Sequence, residues 1–179
     1  MKKNFFALLL FVTSSIISQE YLEDQFKLEY NLLGVGVSYE APISEKFLID
    51  LGAGVGGGVA GTRSYTWEFN SNLASYFKGE LKYMYNREKR LKKGKNMENN
   101  SGNYIAFQTK YFTRRFSENT NFEPLNRAIL NEFHWGLQRS MGGNWLFSFH
   151  VGLGFLRNID DDYNLVSPAI GLKFLYKLF

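Results

Sequence analysis

Two short stretches of the sequence contain the side chains best suited to acid–base and nucleophilic chemistry. Glu132 and His134 lie in the first stretch, and Ser148 and His150 lie in the second. Hydrolases activate a serine hydroxyl with a histidine and a carboxylate, so these four residues are a candidate catalytic group. However, no catalytic motif surrounds them, and their spacing is not that of a metal site. We therefore expect no catalysis, no metal and no cofactor, and we interpret both histidines as members of a polar network.

Cysteine, whose thiolate would extend this chemistry, is absent from the 179 residues. Its absence excludes disulfide bonds, thiol redox centres, thiolate zinc sites and cysteine nucleophiles. The formal net charge is +4, from 21 basic and 17 acidic residues. That balance is too even to indicate a nucleic-acid partner without a focused basic surface. Aromatic residues make up 17% of the chain, which is too many for a disordered protein.

Two charged runs lie between the more apolar segments. The basic run has six members: Arg87, Lys89, Arg90, Lys92, Lys93 and Lys95. We expect a solvated connection there, and contact with anionic lipid headgroups or an acidic protein partner is the functional alternative. The acidic run, residues 160–162, lacks the spaced ligands and the glycine of a calcium loop. We therefore expect it to be exposed to solvent.

Residues 1–18 have the features of an export signal peptide. Lys2 and Lys3 precede an uninterrupted apolar run at 5–12, and small or polar residues follow near Ser18. The apolar run is too short to be a membrane-spanning helix, and no later segment is longer. Removal of the signal takes away two lysines and no acidic residue, so the net charge falls from +4 to +2.

The remaining chain, residues 19–179, alternates with a period of two, which predicts β-strands. The clearest segment is 145–156. One of its faces carries Trp145 and five further apolar residues: Phe147, Phe149, Val151, Leu153 and Phe155. Small or polar side chains dominate the opposite face, which includes Ser148 and His150. A helix would scatter these aromatic residues around its circumference, whereas a strand collects them on one side.

Six further segments alternate in the same way, at 33–43, 47–60, 73–86, 103–113, 128–140 and 168–178. Tight turns at 44–46 and 141–144 alternate with longer polar links at 61–72, 114–127 and 157–167, and residues 87–102 form a basic, Asn-rich connection. Short turns at one end and longer loops at the other are typical of a transmembrane β-barrel.

The faces opposite the apolar ones are rich in glycine and in charged or imidazole side chains. We predict an interior network of ten residues: Glu40, Asp50, Lys78, Glu80, Lys82, Lys110, Glu132, His134, His150 and Lys173. In a soluble barrel these faces would be wet, whereas in a membrane barrel they fill the interior and the apolar faces contact lipid. Repeated glycine weakens a solvated strand, which favours the membrane arrangement. Charges in a narrow lumen must then be paired, so we expect side chains to plug it.

Taken together, the export signal, the alternating strands and the C-terminal segment 173–179 resemble small outer-membrane β-barrel proteins of the OmpA/OmpX type. The resemblance implies an outer-membrane location, with membrane lipids as partners. It also implies recognition of the terminal Phe179 by the barrel assembly machinery. In that family the terminal aromatic residue keeps the phase of the lipid-facing residues, whereas here Phe174, Tyr176 and Leu178 carry that phase and Phe179 does not.

Seven strands are readable, whereas single-chain bacterial barrels have even numbers, so we expect an eighth. Residues 26–32 alternate in the opposite phase to the segment that follows, which indicates either a β-bulge or a first strand meeting a second. Aromatic girdles are expected at both rims. One would include Tyr83, Tyr85, Tyr104, Trp145 and Tyr176, and the other Tyr65, Trp67 and Phe69.

We therefore predict an all-β, up-and-down antiparallel barrel that stabilises the envelope or presents loops for binding, with periplasmic or extracellular protein partners unknown. The lipid-facing set is predicted from Phe147 to Phe155. Two alternatives remain. One is an outer-membrane lipid-modifying enzyme built on the Glu132, His134, Ser148 and His150 group. The other is a soluble, lipocalin-like carrier of an apolar ligand, with the two faces inverted.

Overall fold

A computed structural model describes residues 21–32, 34–61, 67–115, 127–160 and 164–179, with the backbone alone given at 57–61, 67–73 and 114–115. The predicted signal peptide, residues 1–18, lies outside the described residues. Within them, no helix has the length and apolar character needed to cross a membrane.

Antiparallel strands form a closed barrel in which each strand pairs with its neighbours in sequence, and the first pairs with the last. The eight strands are β1 (Gln25–Asn31), β2 (Gly34–Pro42), β3 (Phe47–Gly61), β4 (Trp67–Tyr83), β5 (Gly102–Arg115), β6 (Ala128–Gly142), β7 (Trp145–Asn158) and β8 (Asn164–Lys177). The predicted fold class, an all-β up-and-down barrel of eight strands, is confirmed.

The alternating sequence produces a barrel that is polar inside and apolar outside. On β7, Ser148 and His150 point inward and are 4% and 6% exposed, whereas Val151 and Leu153 point outward and are 41% and 57% exposed. Successive side chains of a strand point to opposite faces, so a strict period of two sorts the two classes. Phe147 and Phe149 also point outward and are half-buried among neighbouring strands, and Phe155 is exposed.

The eighth strand is the short segment β1, which forms a tight hairpin with β2. Tyr30 pairs with Val35 and Asn31 with Gly34, which leaves only residues 32 and 33 as the connection. The change of phase in the sequence is therefore a first strand meeting a second rather than a β-bulge. The seven residues of β1 and nine of β2 make this hairpin much shorter than the other strands.

The barrel has two different ends. The lower end carries the start of β1, the end of β8, the tight turns after β2 and β6, and the connection between β4 and β5. That connection contains a short helix, α1 (Arg87–Lys92), and a single 3-10 turn, Glu98–Asn100. The upper end carries the β1–β2 hairpin and the connections after β3, β5 and β7, most of which lie outside the described residues.

The 3-10 turn covers the lower mouth of the lumen. Asn99 and Asn100 have φ values of 52° and 54°, a left-handed conformation that asparagine tolerates better than most residues. This conformation lets the Asn100 side chain donate to Glu40 Oε1 at 2.8 Å and accept from the Glu23 amide at 2.9 Å. Gln138 Nε2 donates to the Asn99 carbonyl oxygen at 3.0 Å. The connection is thus tied to side chains inside the barrel.

One predicted girdle residue lies elsewhere. Tyr104 was expected at the lower rim, but it points inward and is 1% exposed, with its ring packed over Gly136. Its phase is that of Ala106 on the same strand, which also points inward, and Gly136 opposite leaves room for the ring. Tyr83, Tyr85 and Trp145 do lie exposed near the lower end. The predicted upper girdle, Tyr65, Trp67 and Phe69, falls outside the described side chains.

The C-terminal residue reaches the outer surface although its sequence phase predicts otherwise. β8 ends at Lys177, and the Phe26 amide donates to the Phe179 carbonyl oxygen at 3.0 Å. The Phe179 ring stacks on the outward-facing Phe26 ring, with centroids 5.6 Å apart. The irregular end of the strand therefore restores the aromatic residue to the apolar face.

Close packing between β6 and β7 generates a first prediction. A Cβ added at Gly152 would overlap the Phe133 carbonyl oxygen and the His134 Cα atom, whereas one added at Gly79 would meet only Leu51 Cδ2, at 3.6 Å. We expect Gly152→Ala to lower the free energy of unfolding by about 1–3 kcal/mol, because the obstacle is backbone. Gly79→Ala is the matched control and should be close to neutral. Urea unfolding of both variants measures this, and equal stability of the two would refute the packing assignment.

Candidate functional site in the barrel lumen

The lower lumen contains a cluster of ion pairs centred on Asp50. Its carboxylate oxygens lie 3.2 Å from the ammonium of Lys27, 3.1 Å from that of Lys78 and 3.2 Å from that of Lys82. All four side chains are buried. Breaking such a cluster leaves uncompensated charge inside the barrel, so its members hold the surrounding strands in register.

Two further carboxylates complete the cluster. Glu40 accepts from Lys82 at 2.6 Å and pairs with Lys27 at 3.0 Å, while Glu29 accepts from Lys78 at 2.6 Å. Lys27 and Glu29 were missed in the sequence because β1 was not recognised as a separate strand. The alternation of residues 26–32 did indicate their position, since it places both residues on the inner face of a strand.

Strand register explains why lysine side chains must lie between the carboxylates. Glu40 lies opposite Asp50 in the β2–β3 pair, and Asp50 lies opposite Glu80 in the β3–β4 pair. Three neighbouring strands thus place carboxylates side by side, which is unfavourable unless cations intervene. Lys27 from β1 and Lys82 from β4 extend between them and offset this repulsion.

The centre of the lumen holds the two histidines. His134 Nε2 lies 3.0 Å from Glu80 Oε1, and the His134 and His150 rings stack with centroids 4.3 Å apart. Ser148 Oγ lies 3.2 Å from the Tyr104 hydroxyl, and among the described residues no hydrogen bond joins it to either histidine. The structure brings the four candidate catalytic residues into one region without the serine–histidine contact that activates a hydroxyl nucleophile.

Glu132 lies on β6, two residues from His134 and closer to the upper end, and it accepts a hydrogen bond from Gln108 Nε2. Ligand atoms of Glu132, His134 and His150 all lie within 4.8 Å of one another, and His134 Nδ1 is buried without a hydrogen-bond partner in the described part of the chain. Two imidazoles and a carboxylate are a ligand set that zinc accepts. Sequence spacing missed this grouping because strand register, not one local motif, brings His150 to the other two residues.

Two lysines in the same part of the lumen would repel a metal cation bound there. Lys173 is 8% exposed, and Lys110 points inward from β5, with its Nζ 5.3 Å from the centre of the Tyr76 ring. Among the described residues, neither ammonium group forms an ion pair or a hydrogen bond. The sequence predicted both lysines as paired members of the interior network, but neither forms an ion pair with a carboxylate in the described part of the chain. Glu132 attracts Lys110, and Glu29 and Glu80 attract Lys173, each from beyond ion-pair distance. Neither ammonium group therefore has a described carboxylate in direct contact.

Above this layer the lumen changes character. Phe112, Leu130, Leu156 and Leu165 point inward from four successive strands and are half-buried. Asn31, the last residue of β1, donates to the Tyr76 hydroxyl at 2.9 Å and marks the boundary between the charged region and the apolar one. On β5 to β8 the described inward side chains are therefore charged in the lower part and mainly apolar and half-buried in the upper part.

The basic run and Asp160, the one described residue of the acidic run, lie outside the lumen. The basic run lies in and after α1 at the lower end, where Lys46 of the tight turn pairs with Glu88 at 2.6 Å. This hydrogen bond raises the pKa of Lys46 and lowers the pKa of Glu88. Of the acidic run, Asp160 accepts two hydrogen bonds from the Arg127 side chain, at 2.7 and 3.0 Å.

Comparison of the chain with protein-family models, with curated proteins and with solved structures finds no match. The resemblance to small outer-membrane barrels therefore stays a prediction from the sequence pattern. A functional assignment must therefore rest on the geometry of the lumen and of the outer surface.

The Asp50 cluster generates a second prediction. Asp50→Asn removes the charge that three buried ammonium groups share, so we expect the free energy of unfolding to fall by about 3–5 kcal/mol. Glu88→Gln is the matched control, because it removes a carboxylate from a solvent-exposed pair and should leave stability unchanged. Urea unfolding followed by tryptophan fluorescence compares them. A stable Asp50→Asn variant would contradict the central role of this carboxylate.

Proposed function

We propose that the protein is an integral outer-membrane β-barrel protein with a structural or surface-binding role, closed in its lower lumen by the Asp50 cluster. The observation that carries this proposal is the inverted distribution of residues. Large apolar side chains cover the outside of the barrel, including Phe77, Phe107, Phe133, Leu153 and Phe155, each more than half exposed. Soluble monomers rarely expose apolar surface continuously, and a patch that encircles the molecule fits contact with lipid.

Strand lengths are consistent with a bilayer. β3 to β8 contain between 14 and 17 residues each. A tilted strand needs about 9–11 residues to cross the hydrocarbon region. These strands therefore extend past the apolar belt at one or both ends.

The two alternatives fit the structure less well. A lipocalin-like carrier requires an apolar lumen and a polar outer face, which is the opposite of the arrangement around Asp50 and Leu153. A lipid-modifying enzyme needs an activated nucleophile, and Ser148 has Tyr104 as its partner instead.

Features at the lower end support its placement in the periplasm. Two of the three connections there are tight turns, after β2 and β6, as on the periplasmic side of outer-membrane barrels, whereas the third, between β4 and β5, is longer. The chain also enters β1 and leaves β8 at this end. The predicted export signal at 1–18 supports the compartment, and the outward-facing Phe179 supports recognition by the barrel assembly machinery. The basic residues of α1 then lie beside the inner-leaflet headgroups, and upper-end loops carry any binding of outside partners.

Membrane fractionation tests this proposal. The full chain, expressed with residues 1–18 in a Gram-negative host, should be found in the outer-membrane fraction and should resist extraction with alkaline carbonate. A closed barrel in detergent should also migrate differently before and after boiling. Release into the soluble fraction without detergent would overturn the proposal.

The outer face generates a third prediction. Phe149 pairs with Leu137 and Leu172 on the outer face of β7, near the middle of the belt. Arginine at mid-bilayer costs about 2–4 kcal/mol but only about 0–1 near the interface. We therefore expect Phe149→Arg to lower the yield of assembled, heat-modifiable protein strongly.

Met141→Arg is the matched control for that prediction. Met141 is an exposed apolar residue beside the tight turn at the lower end, so its replacement should assemble normally. Gel migration of the two variants, purified from membranes, gives the comparison. Normal assembly of both variants would count against contact between Phe149 and lipid.

A further inference from the structure

The short β1–β2 hairpin leaves a notch in the upper wall of the barrel. β1 pairs with β8 only from Lys177 up to Lys173, and β2 pairs with β3 only up to Gly56. In the part of the chain that the structure describes, residues 164–172 of β8 pair with β7 alone. Two strands are therefore missing from the wall at this height, and β8 has a free edge.

The notch lies within the apolar belt. The seven residues of β1 rise about 18 Å along the barrel axis at the usual tilt, whereas the belt of an outer-membrane barrel is about 25 Å tall. On β8 the outward-facing side chains remain apolar above the hairpin, at Ile170 and Val166. Pro168, which lacks an N–H group, also lies on this free edge, where proline is tolerated. The opening is therefore bordered by apolar surface.

Inside the notch the lumen is suited to an acyl chain. Small residues line the inner face of β8 there, namely Ser167, Ala169 and Gly171. Behind them lie Leu130 and Leu156, which point into the lumen and are half-buried. The His150 ring fills the space beside Gly171 and Ala169 is buried, so the accessible part of this wall lies higher, beside the half-buried Ser167, Leu130 and Leu156. A narrow apolar ligand fits such a surface better than a bulky one.

At the lower boundary of this apolar space lie the two ammonium groups that form no ion pair with the described residues. Lys173 is nearly fully buried, and the Lys110 ammonium lies over the Tyr76 and Phe112 rings. Glu132 attracts Lys110, and Glu29 and Glu80 attract Lys173, but none of these carboxylates is in direct contact with either ammonium group. A buried ammonium without a contacting anion is unfavourable, so a negatively charged group is its natural complement. Carboxylates and phosphates accept charge-assisted hydrogen bonds from lysine.

We propose that the upper lumen binds a single-chain anionic amphiphile, whose acyl chain lies between β8 and the inner face of β6 and β7. Its carboxylate or phosphate head contacts Lys110 and Lys173, and it enters sideways through the notch above the β1–β2 hairpin. This inference rests on the proposed membrane location, because the notch opens toward lipid only in a bilayer. The Asp50 cluster below closes the path to the lower end.

Photolabelling of the protein in phosphatidylcholine nanodiscs tests the proposal. The probes are palmitate and lysophosphatidic acid, each with a diazirine on the acyl chain, and hexadecanol with the same diazirine as the neutral probe. Mass spectrometry should locate the label of the anionic probes on inward-facing Leu130, Leu156 or Leu165. Labelling by palmitate, by lysophosphatidic acid or by both identifies the head group. Label confined to outward-facing residues such as Leu153, or equal lumen labelling by hexadecanol, overturns the proposal.

Lysine variants give the second arm of the experiment. Lys110→Gln and Lys173→Gln should each lower lumen labelling by roughly tenfold, because each removes a charge-assisted hydrogen bond. Neither change breaks an ion pair, so both proteins should fold, and heat-modifiable migration confirms this. Lys46→Gln, at the exposed lower turn, should label like the parent. Unchanged labelling of both lumen variants overturns the assignment of the head-group site.

The outcomes separate this inference from the proposed function. If the protein inserts into the membrane but is labelled only on its outer face, the amphiphile site is refuted and the membrane assignment stands. A protein that fails to associate with the membrane removes both.

Discussion

The ion pairs around Asp50 are the interaction on which this barrel depends. A strand that presents apolar side chains outward must present its alternate residues inward, and eight strands enclose a lumen too narrow to hydrate many charges. Glu40, Asp50 and Glu80 come from neighbouring strands and would repel one another. Lys27, Lys78 and Lys82 remove that repulsion and join β1 to β4 across the interior, because each lysine contacts carboxylates from other strands.

The division of the lumen follows from the lengths of the first two strands. Where β1 and β2 are present, their side chains close the interior around Glu29 and Lys78. Above Asn31 those strands end, the described inward residues of β5 to β8 become mainly apolar, and Lys110 and Lys173 form no ion pair with a described carboxylate. A plugged lower part and an accessible upper part are thus one consequence of a short hairpin. This combination is the basis of the proposed amphiphile site.

Sequence periodicity predicted most of the fold because the two faces of each strand differ so strongly. Segment 145–156 shows this clearly, since its inner and outer residues were assigned by phase alone. β1 was harder to recognise in the sequence, because seven residues in opposite phase to their neighbours resemble an irregularity as much as a strand. Tyr104 was assigned to the rim because aromatic residues favour interfaces, although its phase with Ala106 indicated the interior.

The partners within the lumen could not be predicted in the same way. Which lysine meets which carboxylate depends on the stagger of strands that are not neighbours, such as β1 and β4 for Glu29 and Lys78. Local spacing contains no information on this stagger. The same limit explains why Lys173 forms no ion pair with the described residues and why His150 approaches Glu132.

Lipid exposure of the outer face is the most direct test of the account. The chain has no cysteine, so Phe133→Cys and Glu45→Cys each provide a single site for a fluorescent label. Phe133 is 60% exposed on the outer face of β6, and Glu45 lies in the tight turn at the lower end. In vesicles, brominated acyl chains should quench the label at 133, and aqueous iodide should quench the label at 45. Strong iodide quenching at 133, without quenching by brominated lipid, would contradict the membrane barrel.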